Sequence, residues 1–220
     1  MLPPLSNTPI LYADDGYLSH QVRLALLEKQ IGFDEVRVPA IDVPLIDEDE
    51  DAPDPTAFSR EDLADLNPYN TLPVLVVKEL VLYHNVVIFE YLEERYPAYR
   101  LLPETPTTRA QYRQLMWRIE QDWLQLADVL LTHADTLDAT RAQAARKSLT
   151  DSLVTLAPLF AHRVYFLSDT FGLCDCLLAP MLYRLPAMQI TLPPTLCRPL
   201  LNYCARVFAR PTFQASITTR

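Results

Sequence analysis

The 220-residue sequence predicts an α/β unit followed by an all-helical unit. Two observations predict this. Before Pro97, apolar runs of strand length alternate with stretches of helical period. After Pro106 only helical period remains. With only three glycines, nineteen prolines supply most of the punctuation between elements.

Pro9 to Ala13 reads as a strand and Asp14-Asp15-Gly16 as a turn. Ser19 is a candidate N-cap for a helix through Val22, Leu26 and Lys29, with Gly32 at its end. Phe33 to Val38 alternates apolar and polar residues, as a strand does. Ala40 to Ser59 has no period and reads as an acidic loop. Arg60 to Leu66 predicts a short helix stopped by Asn67-Pro68. Val74 to Val77, the turn Lys78-Glu79 and Leu80 to Tyr83 form a hairpin. Asn85, Ile88, Phe89, Leu92 and Tyr96 lie on one helix face, closed by Pro97.

Beyond Pro106, one long stripe runs through Met116, Ile119, Trp123, Leu126 and Leu130. A second runs through Leu149, Leu153, Leu156 and Phe160. Two more helices are expected over Gly172 to Leu185 and Pro194 to Phe208. The order is β-α-β-α-β-β-α over residues 1–97, a linker over 98–106 and a helical domain over 107–220.

The net charge of −9 is localised. Asp42 to Asp65 holds ten acids and one base, leaving 18 of each sign elsewhere. A general nucleic-acid surface needs an excess of cations, so direct nucleic-acid binding is not expected. No run approaches the length of a membrane-spanning helix. Met1-Leu2-Pro3-Pro4 has neither basic nor apolar signal character, so no secretory leader is read. Cys174, Cys176, Cys197 and Cys204 read as buried thiols rather than a disulfide framework. His20, His84, His133 and His162 form no ligand pair, so no metal is expected. Three scattered glycines cannot build a phosphate-cradling loop.

The element order resembles the glutathione-transferase architecture, a thioredoxin-like domain followed by a helical one. Asn67-Pro68-x-x-x-Leu72-Pro73-Val74-Leu75 is similar to that superfamily's segment before the third strand. There the second proline is cis, so Leu72-Pro73 is expected to be cis. Tyr91-Leu92-Glu93-Glu94-Arg95-Tyr96-Pro97 is similar to its third-helix end. Within the superfamily, the chain resembles the stringent starvation protein A family. Ser19-His20-Gln21-Val22-Arg23, Arg118-Ile119-Glu120-x-Asp122-Trp123, Tyr165-Phe166-Leu167-Ser168-Asp169 and Arg206-Val207-Phe208-x-Arg210 carry that likeness.

The resemblance implies a cytoplasmic homodimer that binds RNA polymerase holoenzyme, including its primary sigma factor, in a stress or starvation response. A paralogous subunit in place of the second copy stays open. It implies no cofactor and no catalytic residue. The family's polymerase-contacting segment maps to Pro97, Ala98, Tyr99 and Arg100, with only the first proline retained. A transferase needs a side chain near the first helix to hold a thiolate, and the matching position is Gly16. Tyr17 and Ser19 are the nearest substitutes. The family's Glu-Ser pair at the third helix, which holds glutathione, is His84-Asn85 here. Tyr17, Ser19, Leu72, Pro73, His84 and Asn85 therefore outline a vestigial ligand cleft. Leu80, Tyr83, Tyr112 and Met116 are the candidate dimer face. The sixth-helix cap, Ser/Thr-x-x-Asp in the superfamily, reads Gly172-Leu173-Cys174-Asp175, one hydrogen bond fewer. A glutathione-dependent transferase or peroxidase, and a sensor of a small anion in the cleft, remain alternative functions.

Overall fold

The computed structural model describes residues 8–38, 60–131 and 137–217. The acidic loop over Ala40 to Ser59 lies outside the described residues. The chain divides into two compact units, Met1–Arg95 and Tyr96–Arg220.

The first unit contains β1 (Ile10–Ala13), α1 (Tyr17–Glu28), β2 (Asp34–Arg37), α2 (Arg60–Leu66), β3 (Val74–Val77), β4 (Leu80–Tyr83) and α3 (Asn85–Arg95). The sheet order is β2-β1-β3-β4. β1 pairs parallel with β2 and antiparallel with β3, and β3 pairs antiparallel with β4. Strand alternation sorts the core into two faces. Tyr12, Val74 and Val76 join Leu63 of α2 in one cluster. Leu11, Ala13 and Leu75 are fully buried on the opposite face. α1 and α3 pack together, and Lys29, the C-cap of α1, donates to Glu93 of α3 at 2.7 Å, both side chains nearly fully buried.

Two helix-end expectations are corrected. Ser19 is not the N-cap of α1, which begins two residues earlier at Tyr17 with Gly16 as its cap. Gly32 does not end the helix either. Gln30 takes the left-handed turn, with φ 55°. Ile31 N–H then bonds Leu26 O and Gln30 N–H bonds Leu27 O, the two bonds of a Schellman end. Those bonds, and burial of Leu26 and Ile31, offset the left-handed cost at a residue that is not glycine.

The second unit contains α4 (Pro106–Ile119), a π-turn (Glu120–Leu124), α5 (Gln125–Leu131), α6 (Ala139–Leu156), a 3₁₀ turn (Ala157–Ala161), α7 (Leu173–Tyr183), α8 (Arg198–Phe208) and α9 (Pro211–Ser216). The π-turn widens one turn of the long helix and rotates the residues downstream of it. Ala127, rather than Leu126, therefore takes the fully buried position. The expected linker also belongs to this unit. Leu101 and Leu102 are buried, and Leu101 O accepts from Leu173 N–H at 3.0 Å. α8 starts at Arg198 because residues 194–196 form a turn, closed by Cys197 N–H on Pro193 O. α9 has no counterpart in the sequence reading.

The core of this unit is aromatic. Phe160 packs 4.9 Å, centroid to centroid, from both Phe166 and Tyr203. Trp123 meets Phe166 edge-on at 6.0 Å and donates its indole N–H to Ser152 Oγ at 2.8 Å. All four cysteines are free and buried. Burial pushes the Cys174 and Cys197 thiols up and the Cys204 thiol to about 12, so they stay protonated near neutral pH.

Candidate functional site

The expected cleft lies at the N-terminal ends of α1 and α3. At α1, Asp14 organises the turn. Its Oδ1 accepts from Gly16 N–H at 2.9 Å and from the Ser19 hydroxyl at 2.6 Å. Asp14 N–H returns a bond to Ser19 Oγ at 3.2 Å. Arg23 holds the same turn by donating to Asp14 O at 3.1 Å, while its guanidinium grips Glu35 through two 2.8 Å bonds.

The thiol position is therefore empty twice over. Gly16 has no side chain, and a Cβ built there would lie 2.8 Å from Asp14 Oδ1. Ser19 is fully buried with its hydroxyl both donating and accepting within this turn. Tyr17 is buried at the first position of α1. Neither proposed substitute presents a hydroxyl from an exposed residue. Asp14 was missed in the sequence, although Asp-x-Gly is a common signal for a side chain capturing the amide two residues on.

At α3, the Asn85 amide turns inward. Its nitrogen donates to Leu18 O at 2.9 Å and to Gln21 Oε1 at 2.7 Å. An amide nitrogen has two hydrogens, so both are spent tying α3 to α1. The remaining polar atom of the Asn85 side chain, Oδ1, is an acceptor. Gln21 is the partner that sequence reasoning missed, because no local period pairs residues 64 apart. His84 is exposed with φ 71°, and its carbonyl accepts Ile88 N–H at the start of α3.

The loop before β3 is built by Asn67, which is fully buried. Its amide donates to Thr71 O and Thr71 Oγ1, and its Oδ1 accepts Tyr69 N–H. Leu72-Pro73 is cis, and both residues are buried. Of the six cleft residues, only His84 is exposed.

The other candidates divide. Pro97, Ala98, Tyr99 and Arg100 are all exposed. Leu80 is 42% exposed on β4, and Tyr83 is half-buried against Tyr69. Met116 is 4% exposed and belongs to the core of its own unit. Tyr112 directs its hydroxyl to Cys174 N–H at 3.2 Å. Both side chains make contacts within their own unit. A core-facing stripe has the same period in sequence whether it packs on its own unit or on a second copy.

Tyr112 repairs the cap of α7. A Cβ at Gly172 would sit 2.2 Å from the Tyr112 oxygen, so the tyrosine hydroxyl fills the space of a cap side chain. It accepts the amide of the second helical position, which such a side chain would take. The other half of the cap survives, with Gly172 N–H donating to Asp175 Oδ2 at 2.9 Å. The expected missing bond is thus supplied from α4. Asp175 also accepts from Phe166 N–H and the Tyr203 hydroxyl. Burial pushes its carboxyl up to about 6, against the pull of those three donors.

Comparison with known proteins bears on this geometry. The family described as glutathione S-transferase, N-terminal domain, matches residues 18–95. A stringent starvation protein A homolog of Coxiella burnetii is 38% identical over 200 residues, covering 91% of this chain and 86% of that one. The chain belongs to the stringent starvation protein A family. The homolog of Pasteurella multocida is 39% identical over 198 residues, covering 90% of this chain and 84% of that one. Among solved structures, a glutathione S-transferase from Methylobacillus flagellatus with glutathione bound aligns with a TM-score of 0.78. It is 21% identical and covers 96% of this chain and all of its own, a likeness of fold alone. The family thus has a glutathione-transferase fold, and in this member a Cβ at Gly16 would meet the Asp14 carboxylate.

Proposed function

We propose that this stringent starvation protein A family member is a non-catalytic transcription regulator. It binds RNA polymerase holoenzyme, with its primary sigma factor, as a cytoplasmic dimer under stress or starvation. The observation that carries the reading is likeness to named family members over nine-tenths of the chain. Absence of catalysis is supported by the buried Ser19, the inward Asn85 amide and the Asp14 carboxylate beside Gly16. The contact segment is Pro97 to Arg100, exposed throughout, with an aromatic and a guanidinium of the kind enriched at interfaces. Leu80 and Tyr83 belong to the dimer face, formed with a second copy or a paralogous subunit.

The test is capture of purified holoenzyme by the immobilised protein. Retention at low salt, weakened by Tyr99→Ala with Arg100→Ala, is expected. No complex at any salt concentration would end the proposal. Retention of the protein on immobilised glutathione, with turnover of an electrophilic substrate, would favour the transferase alternative.

A further inference from the structure

Apart from the residues at the start of α3, a basic concavity lies in the helical unit. We propose that this cavity, between the 160–169 segment and α8, binds a compact phosphate-type oxyanion. It encloses about 560 Å³, within the range of small-molecule sites.

The charge of the lining supports an anion. Arg163, Arg198 and Arg206 face one carboxylate, Asp169, an excess of two positive charges. That excess stands out in a chain whose net charge is −9. The three arginines are not equivalent. Arg163 is committed to an ion pair with Asp169. Arg206 donates Nε and Nη2 to Val164 O at 3.3 and 3.0 Å, which orients its guanidinium and leaves Nη1 to donate. Arg198 is exposed and bonds no described residue. It opens α8, whose N-cap Cys197 offers no side-chain bond, so the positive end of the helix adds to the same field.

The geometry favours phosphate over carboxylate. A guanidinium fork takes two oxygens of one anion. A tetrahedral dianion offers further oxygens to a second fork and matches the excess charge. A carboxylate supplies two oxygens and a single charge. Asn202 adds a neutral donor, and Val164 with Pro199 leaves apolar wall for an organic portion. The proposal does not depend on polymerase binding, and either can fail alone.

The experiment is calorimetric titration of the full chain with inorganic pyrophosphate and with glycerol 3-phosphate, at low and at physiological ionic strength. Saturable one-site binding is expected, weakened by salt. Arg198→Ala should lower affinity about tenfold or more, the worth of a charge-assisted bond. Arg198→Lys should recover part of it, since charge returns without the fork. Because Arg198 bonds no described residue, the unliganded melting temperature should not move, which separates lost binding from lost folding. Absence of saturable binding, unchanged affinity in Arg198→Ala, or loss only in His84→Ala would overturn the assignment.

Discussion

Replacing Gly172 by serine restores the sequence pattern of the superfamily cap, yet it should destabilise this protein. The Cβ would fall 2.2 Å from the Tyr112 oxygen, 3.1 Å from its Cζ and 2.9 Å from Leu101 O. Leu101 O is held by Leu173 N–H and cannot retreat cheaply. Overpacking of this kind costs about 1–3 kcal/mol. Displacing the tyrosine also breaks its bond to Cys174 N–H, another ~1 kcal/mol. Gly172→Ser should therefore lose about 2–4 kcal/mol. Tyr112→Phe removes the hydroxyl and strands the Cys174 amide, at about 1–3 kcal/mol. Combined, the two changes relieve each other: the serine hydroxyl replaces the tyrosine as acceptor, and the shortest clash disappears. The double variant should be more stable than additivity predicts by at least about 1 kcal/mol. Urea unfolding followed by far-ultraviolet circular dichroism gives all four corners of the cycle. A Gly172→Ser protein as stable as the parent, or additivity within about 0.5 kcal/mol, would refute the tyrosine cap.

Three further outcomes are expected. With its folded pKa raised to about 6, Asp175 keeps a proton that the unfolded chain has released, so its contribution is full below about pH 4 and lost as pH rises through 6. Asp175→Asn should flatten that part of the stability–pH curve and, at neutral pH, cost about 1–3 kcal/mol by setting an amide against Gly172 N–H; an unaltered slope counts against the assignment. Glu93→Gln should cost about 3–5 kcal/mol in urea melts by removing the carboxylate that pairs with the buried Lys29 ammonium, whereas combining it with Lys29→Met should recover much of the loss. Gly16→Cys should not confer glutathione conjugation of a chloronitroarene, because the new Cβ meets the Asp14 carboxylate that organises this turn; activity in that single variant would refute this reading.

Much of the fold was legible because it rests on local period and turn chemistry. The hairpin from Val74 to Tyr83, the stop at Asn67-Pro68 and the helix face Asn85, Ile88, Phe89 and Leu92 involve neighbours in sequence. Helix ends were less legible, since Gln30 replaces a glycine on the strength of burial around it. A π-turn is invisible to a 3.6-residue stripe, which is why Leu126 and Ala127 exchange places.

The candidate site shows the same division. Sequence by itself determined the family fold, the loss of a side chain at Gly16 and the altered His84-Asn85 pair. Composition also placed the negative charge between Asp42 and Asp65. Only tertiary structure decided that Asn85 spends its amide donors on residues of α1, with Gln21 64 positions away. It likewise brought the Tyr112 hydroxyl to the amide of Cys174, 62 positions away in sequence. Hydrogen-bond donors are satisfied by whatever the folded chain brings within reach, and spacing along the sequence does not specify that neighbour.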